Sequence, residues 1–277
     1  MNAKDMLDLL RDNVNEATAA HWTDENLMRR MNNGQRKWAL KVAMTPGQWL
    51  LKSTSVTPSA SVITLPADCS KPIFMEQTSN GAPIRWLNSV AYRRVSREVG
   101  TSLDTTGSRE AYPLRATLEV NQVSYTEPCT LWYQVRVPDL VAGTAAAGAA
   151  TSLTLPDDRV SRRIVDYYNG VSIEIISGTG TAGLDTITDY TAARVCTVTG
   201  TYDATTVFGS ISMLPEEVHP VLILEATVSA LHKPSAQLDK ETRNNYLSEL
   251  RELRKEANAW LESRIPEQSY VTTGDEY

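Results

Sequence analysis

Gly178, Gly180 and Gly183 fall within S-G-T-G-T-A-G, residues 177–183, at the spacing G-x-G-x-x-G. That spacing serves dinucleotide binding. Its glycines allow a tight turn, admit a pyrophosphate close to the backbone, and open a helix whose N-terminus faces the phosphates. An apparent strand, Val171 to Ile176, precedes the loop, and Asp203 lies twenty residues past Gly183, where an acidic ribose ligand would sit. The residues that follow argue against this chemistry. Thr186, Ile187, Thr188, Tyr190, Val195, Thr197 and Val198 favour strands, so no βαβ unit can be drawn. The stretch reads instead as a flexible hairpin tip of a β module. Ser177, Gly178, Gly180 and Gly183 then form a candidate contact loop toward another protein.

Other chemistries find less support. There is no G-x-S-x-G elbow, no H-E-x-x-H and no calcium-loop pattern. His21, His219 and His232 each sit at a predicted helix end, with no partner nucleophile at a recognisable spacing. Cys69, Cys129 and Cys196 are far apart and lack metal-ligand spacing. An odd, sparse count fits reduced thiols in a protein assembled in a cytoplasm. No catalytic, cofactor or metal site is assigned, and the chain reads as a non-enzyme. Two basic clusters, Arg93/Arg94/Arg97 and Arg159/Arg162/Arg163, fit solvated faces or ion-pair partners better than phosphate contacts.

The 277 residues carry a net charge of −6 and are 42% hydrophobic and 22% charged. A chain of this length can bury one large core or two smaller ones. Its acidity lacks the overall footprint of a nucleic-acid binder, yet suits a surface past which DNA slides. Tyr (11) and Trp (6) outnumber Phe (2), which fits half-buried surfaces that meet partners. The start, MNAKDMLDLLRDN, is too charged for a signal peptide, and no apolar run is long enough to span a membrane.

The elements that must position these residues divide the chain. Met6, Leu9, Leu10 and Val14 predict a first helix. Thr23 reads as the N-cap of a second, with Trp22 and Leu27 as a hydrophobic staple and Pro46-Gly47 as its end. Strands follow from residue 49, with an Asn80-Gly81 turn and a short helix predicted over 87–99. In 129–140, Leu131, Tyr133, Val135 and Val137 alternate with Trp132, Gln134 and Arg136, the mark of a strand with two faces. A-G-T-A-A-A-G-A-A-T-S, from 142, reads as a flexible linker into a Thr/Ser/Gly-rich β module. Helices return at P-E-E-V, followed by an apolar helix and an amphipathic one over about 236–263. The expected fold class is therefore α+β. A helical core of two N-terminal and two C-terminal helices would carry emerging β segments and an inserted small all-β module. The segments are 1–141, the inserted module 142–213, the second core part 214–263 and an extended C-terminal arm 264–277. Ile265, Tyr270, Val271 and Tyr277 give that arm apolar anchors for docking a partner.

Several stretches together resemble the bacteriophage head-to-tail adaptor, the connector that sits below the portal in tailed phages. WTDENLMRRMNNGQRKWAL resembles the second adaptor helix, with its tryptophan, acidic cap and central Asn-x-Gly. VITLPADCSKPIFME resembles the LP-x-D strand segment. LPEEVHPVLILEATVSALHK resembles the P-E-x-x-H buried helix. Residues 155–200 resemble a small β insert of phage structural proteins, through Tyr168, Gly170, Ile173, Ile175, Ser177–Gly180, Ile187 and Tyr190. In place of the glutamine or arginine common after the insert's glycines, this sequence has Leu184-Asp185. The resemblance implies a homo-oligomeric ring, usually of twelve copies, at the head–tail junction of a virion. Such a ring surrounds a channel for double-stranded DNA, with no sequence-specific binding and no membrane. Its arm reaches the portal protein, and its β segments face neighbours or a tail or nozzle protein. The alternative is a baseplate or fibre-type structural protein that uses the β module for surface or carbohydrate binding.

Overall fold

The computed structural model describes residues 1–16, 21–45, 48–86, 110–114, 116–120, 125–180, 183–231 and 240–263. Among them lie four α-helices, one short 3-10 turn and fifteen strands in four sheets. The chain forms two compact units: Met1–Trp49 with Val137–Tyr277, and Leu50–Arg136. The expected plan, a helical core bearing emerging strands and a small β insert, is thereby corrected. The protein is mostly β with helices. The strands are not outgrowths of a helical core, because they close hydrophobic layers of their own.

In the first unit, α1 (Ala3–Asn13) is capped by Asn2, whose side chain accepts from the Lys4 and Asp5 N–H groups at 2.9 Å each. Met6, Leu7 and Leu10 form its buried stripe, while Leu9 faces solvent. Thr23 caps α2 (Asp24–Met44), accepting from the Asn26 N–H, and Trp22 and Leu27 are both buried beside the cap. Pro46-Gly47 lies outside the described residues.

The second unit holds β1 (Leu51–Val56), β2 (Val62–Thr64), β3 (Cys69–Gln77), β4 (Arg85–Trp86), β5 (Glu110–Leu114), β6 (Thr117–Val120) and β7 (Cys129–Val135). They form two sheets, in the orders β1-β7-β3 and β2-β6-β5-β4. Cys129, Leu131, Tyr133 and Val135 alternate inward along β7 and meet Met75, Ile63 and Leu118 in one core. The Asn80-Gly81 turn follows β3, with Gly81 at φ +67°. The predicted 87–99 helix, with Arg93, Arg94 and Arg97, lies outside the described residues.

Back in the first unit come β8 (Ala142–Thr144), β9 (Ala147–Ala149), β10 (Ser152–Thr154), β11 (Ser172–Ser177), β12 (Leu184–Thr186), β13 (Asp189–Tyr190), β14 (Val195–Thr197) and β15 (Val207–Ser210). Their sheets run β12-β11-β15-β8 and β13-β14-β10-β9, around fully buried Leu153, Ile173, Ile175, Ile187, Tyr190 and Phe208. The stretch from 142 is thus paired strand and not a flexible linker. Its small residues serve close approach: a Cβ on Gly148 would stand 2.5 Å from the Tyr202 carbonyl carbon. Gly209 does the same on β15, where a Cβ would meet the Asn2 side chain and the Lys4 N–H at 2.8 Å. The start of α1 therefore lies directly on that strand, and Asn2 Nδ2 also donates to Glu174 of β11 at 2.8 Å.

A 3-10 turn (Glu216–Val218) leads into α3 (His219–Leu231), which is buried on nearly every side. Both α2 and α4 (Lys240–Ser263) pack on it. Glu225 of α3 joins the three helices. It accepts from Trp38 Nε1 at 3.3 Å and from Arg254 Nε and Nη2 at 2.9 and 2.7 Å. Leu250, Ala257 and Leu261 of α4 are buried, and Trp260 stacks on Trp49 at 5.0 Å between ring centroids.

His219 is buried at the head of α3, with Nε2 at 3.1 Å from the Leu214 carbonyl. Burial, and then the positive N-terminal amino group, hold its pKa below the ordinary histidine value. The neutral form therefore belongs to the fold, while the unfolded chain takes the proton more readily. Stability is full above the ordinary histidine value and falls as the pH drops below it. His219→Gln should cost about 1 kcal/mol at neutral pH. It should also lose less than the wild type between about pH 7 and pH 5, read by urea denaturation at both values.

Candidate functional site

The glycine loop joins β11 to β12 as an antiparallel hairpin, with Glu174 opposite Leu184. Gly178 and Gly180 take φ of 81° and 82°, a region that a side chain disfavours. A Cβ on Gly178 would stand 2.6 Å from the Thr205 carbonyl carbon, and one on Gly180 the same distance from the Tyr202 ring. These glycines fit the chain's own backbone and ring, and strand β12 opens directly after Gly183. The helix dipole that a pyrophosphate needs is not at this loop. Asp203, the would-be ribose ligand, accepts from the Thr179 hydroxyl at 2.5 Å and the Thr205 N–H at 2.7 Å. Those bonds, Thr179 first, hold its carboxyl below the ordinary range. The tip is pinned from below, with Thr206 Oγ1 donating to the Thr179 carbonyl at 2.9 Å.

Asp185 is the group that the sequence pattern left unexplained. It is buried one residue inside β12 and accepts five hydrogen bonds. The donors are Thr186 N–H at 2.7 Å, Thr199 N–H at 2.9 Å, Thr199 Oγ1 at 3.0 Å, Gly200 N–H at 2.8 Å and the Tyr202 hydroxyl at 2.8 Å. Burial opposes its charge, but the Gly200, Tyr202, Thr186 and Thr199 donors outweigh it and hold the carboxyl below its ordinary value. This carboxylate ties the 198–202 turn to the hairpin. Leu184 beside it is 69% exposed, so β12 carries one side chain inward as a strut and the next outward into solvent.

A second constellation forms where α2 meets residues 138–140. Asn32 satisfies both backbone groups of Leu140: its Nδ2 donates to the carbonyl at 3.0 Å, and its Oδ1 accepts from the N–H at 2.6 Å. Gln35 donates to the Pro138 carbonyl at 2.5 Å and accepts from the Ser212 hydroxyl at 3.1 Å. Arg36, one turn on from Asn32, reaches the buried Asp139 with Nε at 2.9 Å and Nη2 at 2.6 Å. Arg162 reaches the same carboxylate, its Nε sharing Oδ2 with Arg36 Nη2 at 2.6 Å. The hydrogen bond to Asp139 raises the Arg162 pKa further above its ordinary value.

Beside this joint opens a cleft of about 220 Å³, lined by Arg29, Asn33 and Arg36 of α2 and by Arg159 and Arg162. Arg159 and Arg162 thus lie together here, as their spacing allowed. Arg163 points elsewhere, pairing with Asp157 at 3.1 Å. The role of Asp139 had no local signal, since Arg36 is 103 residues away.

The remaining reactive side chains are held as scaffold. Burial pushes the Cys196 thiol up to about 12, and burial with the nearby Asp68 charge pushes Cys69 up to about 11. Thiols this far from ionising are poor nucleophiles. No group of three His, Cys, Asp or Glu side chains able to hold a metal ion occurs among the described residues. No described helix is long and apolar enough to cross a membrane. Ile265, Tyr270, Val271 and Tyr277 lie outside the described residues, as does His232. No protein-family description matches the sequence, and no curated protein matches it.

Asp139→Asn should lower stability by about 2 kcal/mol, because two guanidinium groups lose their acceptor charge while remaining half exposed. Asp185→Asn places an amide among five donors and should cost about 2–4 kcal/mol. Arg159→Ala should stay within about 0.5 kcal/mol of wild type. Chemical denaturation of the three variants side by side checks the order.

Proposed function

We propose that the chain is a structural virion protein without catalysis, a head-to-tail adaptor subunit that assembles as a ring between portal and tail around the DNA channel. The observation that carries this reading is how the side chains are divided between inside and outside. The groups fit for chemistry, Asp139, Asp185, Asp203, Glu225 and His219, are engaged as internal supports. The outside of the β part carries apolar side chains: Leu184 beside the pinned glycine tip, and Ile164 and Val165 at 51% and 58% exposure. Rigid supports inside and apolar contacts outside suit a subunit that works by meeting other proteins.

The resemblance to adaptors adds to this at particular residues. Asn32 and Gln35 of the Asn-x-Gly helix grip the chain at 138–140, and His219 of P-E-x-x-H seats the buried helix. The proposal rests on these motifs and on the surface, since the helical-core plan that the resemblance implied for the fold is corrected above. Contacts between copies in such a ring are heterologous and close by rotation.

Mass photometry and negative-stain microscopy of the purified chain, alone and mixed with its cognate portal protein, should give a closed ring, expected at twelve copies. A threefold or sixfold assembly would overturn the adaptor in favour of a fibre or baseplate component. A 1–263 truncation should lose portal binding in a pull-down, and unchanged binding would remove the docking arm.

A further inference from the structure

Four arginines line the cleft beside Asp139. Arg29 and Arg36 stand seven residues apart on α2, about 10 Å along its axis. Arg159 and Arg162 come from the segment between β10 and β11. Asp139, its side chain only 3% exposed, is the one carboxylate that lines the cleft. Four positive charges therefore surround one negative charge, in a protein whose net charge is −6.

We propose that this cleft is a phosphate-binding site. The buried carboxylate organises it in advance. Arg162 gives only Nε to Asp139, which leaves both of its terminal nitrogens for a ligand. Arg36 is held by Nε and Nη2 on the same carboxylate, so its position is set before any anion arrives. Arg29 has no hydrogen-bond partner among the described residues, and Arg159 reaches only Glu25, at 4.0 Å. Asn33 accepts from Arg36 Nη1 at 3.3 Å and lines the cleft beside it.

Shape selects the anion. One guanidinium fork saturates a planar carboxylate, whereas several guanidinium groups lining one cleft can share the oxygens of a tetrahedral group. A volume of about 220 Å³ takes one phosphate and a few waters, not a duplex. The phosphate can therefore be free, or be a single phosphodiester protruding from a nucleic acid. The inference does not rest on the adaptor reading, and its test uses the chain alone.

Isothermal titration of the full chain with inorganic phosphate, in low-chloride buffer, should show saturable binding of one equivalent. The double variant Arg29→Ala/Arg159→Ala removes two arginines that do not touch Asp139, so its melting without phosphate should match wild type. Its phosphate affinity should fall by about tenfold or more. A short single-stranded oligonucleotide that binds and is displaced by phosphate assigns the site to a phosphodiester. Phosphate binding without oligonucleotide binding assigns it to free phosphate. No saturable binding, or equal binding by the double variant, overturns the proposal. So does binding of a hexaglutamate peptide where phosphate fails, which would mark the cleft as a dock for an acidic protein segment.

Discussion

The first unit depends on the polar grip of α2 on residues 138–140. A chain returning into that unit brings buried backbone groups that must find partners. Asn32 takes both groups of Leu140, Gln35 takes the Pro138 carbonyl, and Arg36 takes the Asp139 carboxylate. Three side chains on one helix face, within four residues, thus set where β8 begins. The β15–α3 connection is held by the same grip, because Gln35 also receives the Ser212 hydroxyl.

Close approach is the second constraint. Gly148, Gly178 and Gly209 each stand where a Cβ would collide with backbone of the same unit. Layers brought so near need internal acceptors at their turns. Asp185 supplies one beneath the 198–202 turn, and Asp203 another beneath the glycine tip. The tip is therefore a supported hairpin. Asp139 follows the same logic with charge: one buried carboxylate orders two arginines and sets the wall of an electropositive cleft.

Much of the local structure was legible. The Thr23 cap with Trp22 and Leu27 buried beside it, the apolar run of α3 and the alternation along β7 each express a rule of short range. The rejection of a nucleotide loop was legible too, from the β-branched residues after Gly183. The 142–152 stretch was misread because alanine and glycine look alike in a linker and in a tightly packed strand. Only the neighbouring Tyr202 backbone distinguishes the two cases. Leu9 likewise fits a helical stripe by spacing but points to solvent, because Leu7 is the residue turned toward the core.

What the sequence by itself determined is the identity of the described helices, the Thr23 cap, the strand character of the β stretches and the hairpin that joins β11 to β12. These depend on neighbours within a few residues, through capping, periodicity and turn geometry. The tertiary structure alone decided that the strands close two separate sets of sheets, that Asp185 is a strut, and that Arg29, Arg36, Arg159 and Arg162 share one cleft. Each of those facts joins residues distant in the chain. Their partners are chosen by packing and by the need to satisfy buried charge, and no local pattern records that choice.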